Sequence, residues 1–268
     1  MHPGETSLEP ASLIWIGSIA GLIAGLATGI GAVPVLFFVK TVRPFTSAMM
    51  LGFGAGVMLA ATSFSLIIPG IEAAGRQGHE GLAGSGIVAS GMMLGAIGLL
   101  AANRYLPHEH FIKGLEGIAT RRLGRVWLFV LAITLHNFPE GLAVGVGFGG
   151  GFVSNGTSLA VGIALQNLPE GLAVALALAE IGYSRGRAFL VALLTGLVEP
   201  VGALLGVIAV AFSEALLPWG MGFAAGAMLF VISNEIIPES HREGQGLAGT
   251  VGVVVGFLLM MILDTAFA

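Results

Sequence analysis

Cysteine is absent from the 268 residues, aspartate occurs once (Asp264), and lysine and arginine together number eleven. The missing thiols exclude disulfides and thiolate metal sites. Charged residues make up 10% of the chain, against about 25% in a soluble domain. Two motifs are also missing. Without GxxxxGK[ST] nothing points to ATP as the driving force, and without HExxH an intramembrane zinc protease lacks its two-histidine face. No basic segment precedes the first apolar run, so MHPGETSLEP does not read as a signal peptide, and the run after it reads as a retained span.

What is present is hydrocarbon: 56% hydrophobic residues and a mean hydropathy of +0.95. Apolar runs near twenty residues are long enough to cross a bilayer as helices. They fall at 11–38, 46–70, 86–102, 127–149, 157–181, 188–212, 218–237 and 246–267. The expectation is an all-α membrane protein of eight spans in one transmembrane domain, 1–268, with one sizeable loop, 103–126.

The basic residues test this count. Lys40, Arg43, Arg104, Lys113, Arg121, Arg122, Arg125, Arg185, Arg187 and Arg242 fall on one side of the membrane, and only Arg76 on the other. Ten against one is a strong positive-inside bias. It places those loops in the cytoplasm and both termini outside the inner membrane.

Two internal echoes organise the chain. NFPEGLAV (137–144) and NLPEGLAV (167–174) differ at one position, pairing the fourth span with the fifth. GFGAGVMLAATSFSLIIP (52–69) resembles GFAAGAMLFVISNEIIP (222–238), with one extra residue in the first copy. Paired spans that run in opposite directions are the mark of inverted-repeat transporters, whose substrate site lies near the midplane. Glycine, 43 residues in all, includes a ladder at Gly17, Gly21, Gly25 and Gly29. That face permits close helix packing, a dimer seam or a sliding surface.

Polar groups recur at one depth. In HNFPEG, His136 and Asn137 share a helical face with Glu140. In QNLPEG, Gln166 and Asn167 share one with Glu170. Pro139 and Pro169 each remove a backbone donor and should kink their spans. Span six adds Glu199, again followed by proline. Such groups must face one another, water or an ion. One imidazole among carboxylates suits a borderline divalent metal such as Zn²⁺, Fe²⁺ or Mn²⁺, whereas Ca²⁺ or Mg²⁺ calls for oxygens alone. Met58 could add a thioether or simply fill space. Buried glutamates held by internal hydrogen bonds, a proton relay serving another solute, and a metal-selective channel remain open alternatives.

HNFPEG, QNLPEG and the Glu-Pro of span six resemble the ZIP family of divalent metal transporters, in particular its GufA-like prokaryotic branch. The likeness extends over essentially the whole chain. It implies a 3+2+3 arrangement with inverted repeats and a homodimer in the lipid bilayer. It also implies uptake of Zn²⁺, with Cd²⁺, Fe²⁺ or Mn²⁺ as further cargo, by alternating access. The metal is then substrate, with no catalytic cofactor, no enzyme chemistry and no nucleic-acid partner. Carried over by motif, a first ion meets His136, Glu140, Gln166 and Glu170, with Met58 nearby. A second meets Asn137, Asn167 and Glu199 and shares Glu140 and Glu170. Many relatives carry histidine at Gln166 and a carboxylate at Asn167. The first departure hardens the first site, and the second leaves three carboxylates facing two divalent ions.

Outside this centre, Glu72, Asn234, Glu235 and Asp264 are candidate stepping stones along a pathway, or interfacial side chains wetted by headgroup water. His108 and His110 are candidate metal-handling residues of the cytoplasmic loop. His241, just beyond the seventh span, carries no stronger signal than these two histidines, and Glu180 and Glu214 read as helix-end residues.

Overall fold

The computed structural model describes residues 9–37, 43–105, 118–151 and 153–267. His108 and His110 lie outside them. Among the described residues all regular structure is helical, in eight long units: α1 (Pro10–Phe37), α2 (Pro44–Arg76), α3 (Leu82–Tyr105), α4 (Ile118–Gly149), α5 (Val153–Glu180), α6 (Arg185–Phe212), α7 (Glu214–Ser240) and α8 (Gly246–Phe267). Seven of them are long and apolar enough to cross a membrane. The helices overrun the apolar runs at several ends. Helix α2 continues to Arg76, and α3 and α4 take residues at both ends of the expected loop 103–126.

Local chemistry sets these ends. After Arg76 the chain turns through Gly78 at φ +88°, while His79 N donates to Ala74 O and Gly78 N to Gly75 O. This paired closure around a left-handed residue satisfies the last carbonyls of the helix, and glycine adopts it without a Cβ penalty. Gly182, at φ +97°, ends α5 in the same way, with Tyr183 N bonded to Leu178 O.

Pro139 and Pro169 both lie inside helices that continue without interruption. The break comes in α6 instead, where Leu197 and Val198 separate Arg185–Gly196 from Glu199–Phe212. Pro200 then sits in the first turn of the second half, where its missing N–H costs nothing. Glu199 is thereby carried at a helix start in the middle of the protein.

Helices α2 and α7, the partners of the longer echo, each contain a widened π segment, Ala61–Ile67 and Ile232–Ile236. One inserted residue in a helix is commonly accommodated as such a bulge. The longer segment belongs to the copy with the extra residue. Each π segment packs against the other helix of the pair.

Close packing divides the helices into two sets. Helices α1, α4, α5 and α6 contact one another densely, while α2 pairs with α8 and α3 with α7. The sets meet where α2 touches α5 and α4 touches α7. The glycine ladder of α1 lies inside the first set. Gly21 faces Ala203, Gly25 the carbonyl of Gly196, and Gly29 the side chain of Leu193, all on α6. That face is therefore spent within the chain and is no dimer seam.

Candidate metal centre

His136, Asn137 and Glu140 on α4, Gln166, Asn167 and Glu170 on α5, and Glu199 on α6 are all buried, none more than 3% exposed. Close backbone approach brings them together. A Cβ at Gly171 would overlap the carbonyl of Thr28 on α1, and one at Gly141 the carbonyl of Glu199. Each proline-glutamate-glycine stretch thus presses its glycine against a neighbouring helix, and its glutamate is buried beside that contact.

The side chains are only partly satisfied by one another. His136 Nε2 lies 3.2 Å from Glu170 Oε1, and its Nδ1 lies 3.7 Å from Glu235 Oε2. Gln166 Nε2 donates to Asn167 Oδ1 at 2.7 Å. Asn167 Nδ2 donates to Ala24 O at 2.8 Å and to Glu199 Oε1 at 2.7 Å. Among the described residues, six of this cluster's buried acceptor oxygens have no hydrogen bond of good geometry: Asn137 Oδ1, both of Glu140, Gln166 Oε1, Glu170 Oε2 and Glu199 Oε2. Glu140 lies near Glu170, and Glu199 lies near both.

Such a set is costly. A buried polar atom without a partner forfeits about 1–3 kcal/mol, and more when charged. Native interiors leave few of them. Carboxylate and amide oxygens beside one imidazole form a donor set for a cation. Among the described residues, however, no three His, Asp or Glu side chains are drawn close enough to enclose an ion unaided. His136 and Glu170 are occupied with each other, and the remaining acceptors include amides.

The peripheral candidates separate clearly. Glu235, in the π segment of α7, reaches the centre through His136. Its neighbour Asn234 is half-buried, with a buried Nδ2 that finds no acceptor. Asp264 accepts hydrogen bonds from Ser65 at 2.6 Å and Ser158 at 3.2 Å, and Asn155 donates to the carbonyl of Ser65 at 3.0 Å. Ser65, Asn155 and Ser158 were not anticipated. The one signal for Ser65 was the extra residue in the first echo, which falls in the π segment that carries it. Glu72 is exposed near the end of α2 and joins neither group. Met58 is fully buried in an apolar cluster with Ala55, Leu159 and Met228. One turn earlier, a Cβ at Gly54 would lie 3.4 Å from Gln166 Oε1, so this face of α2 abuts the polar centre. His241 is tied to Ser240, the Ile237 carbonyl and Thr250 at the end of α7.

Comparison with known proteins agrees with this architecture. A family model described as ZIP zinc transporter matches residues 114–264. The zinc transporter GufA of Myxococcus xanthus is 51% identical over 248 residues, 92% of this chain and 97% of that one. The zinc transporter ZIPB of Bordetella bronchiseptica is 50% identical over 252 residues, 94% of this chain and 80% of its own length. The human zinc transporter ZIP11 is 34% identical over 318 residues, 88% of this chain and 93% of its own. The apolar helices, the paired NxPEG motifs they carry and these relatives converge: this multi-pass membrane protein belongs to the ZIP family, in its GufA-like branch.

Proposed function

We propose that the protein is a secondary carrier that moves divalent transition-metal ions, Zn²⁺ first among them, into the cytoplasm through the site between α4, α5 and α6. The observation that carries this reading is the set of six unpartnered buried oxygens beside His136. With α4 counted, eight spans cross the membrane in a 3+2+3 order. The basic residues orient them with both termini outside. The whole chain acts as one transporter domain and performs no bond chemistry on its cargo.

Binding requires modest rearrangement. As a metal arrives, Glu170 exchanges its hydrogen bond to His136 for the ion, and Glu140 and Gln166 supply oxygens that have no partner without it. Met58 stands on the adjoining face of α2. Asn137, Asn167 and Glu199 form the second position, which has too little negative charge to hold an ion tightly. Asp264 lies on the outer route to the site, and Asn234 and Glu235 on the inner one. A divalent ion gains about 4.6 kcal/mol per 100 mV of membrane potential, so no ATP is needed. Sliding of α1, α4, α5 and α6 against α2, α3, α7 and α8 provides alternating access, in a homodimer.

Metal flux into proteoliposomes, measured across a panel of divalent ions with internal pH followed simultaneously, tests this directly. Saturable flux led by Zn²⁺ supports a carrier. Conductance without saturation contradicts it.

A further inference from the structure

An apolar groove of about 510 Å³ runs between α1, α2, α5 and α8, with Ile30, Met49, Phe53, Leu168, Pro169 and Val255 among its walls. Well-packed interiors rarely leave voids larger than a water molecule, and this volume falls within the range of ligand sites, about 300–1,000 Å³. Its rim is open to the side of the bundle, where Ile30 is 62% and Val255 51% exposed. Water confined there would meet almost no polar partner, which such a site needs to stay wet. Hydrocarbon is the solvent that fits.

The charges at one end identify the lipid class. Arg43 is exposed at the start of α2, six residues or about 9 Å before Met49 along the axis. Arg185 is exposed at the start of α6, and its guanidinium donates to the carbonyl of Leu36 at 3.3 Å, two residues past the groove-lining Pro34. Two arginines therefore flank the same end of an apolar slot. Basic groups beside clefts between membrane helices bind anionic headgroups.

We propose that this groove is a binding site for one acyl chain of an anionic phospholipid, with its headgroup held near Arg43 and Arg185. The position matters because Leu168 and Pro169, which form one wall, separate Asn167 from Glu170 on α5. The chain lies in the seam between α5, which carries ligands, and α2, which belongs to the other packing set.

The test uses purified full-length protein and phosphatidylglycerol bearing a photoactivatable group in its acyl chain, with labelled residues mapped by peptide mass spectrometry. Label should concentrate on Ile30, Met49, Phe53 and Val255, severalfold above the exposed Leu204 and Leu205 of α6. Unlabelled phosphatidylglycerol should compete it away more effectively than phosphatidylcholine. Val255→Trp, which projects bulk into the slot, should abolish labelling there and spare Leu204 and Leu205. Groove labelling no stronger than at α6, or equal competition by the two lipids, overturns the proposal in the wild type alone. Cross-links joining the groove walls of two copies would assign it to a dimer partner instead.

Discussion

His136 and Glu170, one from each proline-bearing helix, meet at 3.2 Å between Nε2 and Oε1. The imidazole of α4 is thus held by the carboxylate of α5, and on the proposed site an incoming metal would have to divide this pair. Glu140, on the same face as His136, has two buried oxygens with no hydrogen bond of good geometry among the described residues, although Gln166 lies beside it. On the proposed site the two glutamates therefore play unequal parts, Glu170 paired with the imidazole and Glu140 not. Glu170→Ala should weaken metal binding and also release His136. Glu140→Ala should weaken binding while removing an unpaired buried carboxylate, so the metal-free variant should melt higher than wild type. Calorimetry and thermal unfolding together separate the two. Equal melting shifts in both variants would contradict the inequality.

Asn167 donates to both Ala24 O and Glu199 Oε1, so Asn167→Asp replaces a donor with an acceptor facing two acceptors. The metal-free variant should lose stability, on the order of 1–3 kcal/mol for the orphaned groups. With four carboxylates facing two ions, metal stoichiometry per protomer should rise toward two. Zinc should also raise the variant's Tm by more than it raises that of wild type, since a ligand binding only the folded state stabilises by mass action. A metal-free Tm matching wild type, with unchanged stoichiometry, would refute this role for position 167.

Gln166→His should change selectivity rather than occupancy. The substitution replaces an amide oxygen, unpartnered in the structure, with a ring nitrogen that favours Zn²⁺ over the harder Mn²⁺. Competition titrations should show the Zn²⁺/Mn²⁺ preference rising. An unaltered preference would mean that position 166 does not touch the ion.

Glycine contacts give a prediction about stability alone. A Cβ at Gly171 would overlap the Thr28 carbonyl, whereas one at Gly75, near the end of α2, would meet nothing within 4 Å. Gly171→Ala should cost roughly 1–3 kcal/mol through overpacking and disturb Glu170 beside it. Gly75→Ala should be neutral or slightly stabilising, by up to about 1 kcal/mol. Thermal unfolding in detergent decides between them, and similar melting of both variants would contradict the packing described.

The sequence was most informative where spacing and hydrophobicity speak for themselves. All seven central polar residues could be chosen from two repeated motifs and one Glu-Pro pair, because polar groups inside long apolar runs have few explanations. The places of the long helices were legible for the same reason, whereas helix ends were not. Hydropathy marks the slab of hydrocarbon, but α2 stops only where Gly78 supplies a left-handed closure. Pro139 and Pro169 lie inside continuous helices, so a proline within an apolar run did not by itself mark a helix end. Ser65, Asn155 and Ser158 escaped notice because small polar residues are ordinary in membrane helices. Only the tertiary fold sets two of them against Asp264 and the third on the backbone of Ser65.

The central claim is that the buried oxygens and imidazole between α4, α5 and α6 bind the transported ion. Zn²⁺ titration by calorimetry, paired with zinc uptake on the same preparation in liposomes, tests it most directly on wild type and Glu140→Ala. Loss of even an outer partner of a metal ligand typically costs about 10–100-fold in affinity, so removing a direct carboxylate ligand should cost about 100-fold or more. Uptake should fall with it, while the folded yield and far-ultraviolet spectrum stay those of wild type. Wild-type zinc affinity and undiminished uptake in a folded Glu140→Ala protein would place the transported ion elsewhere.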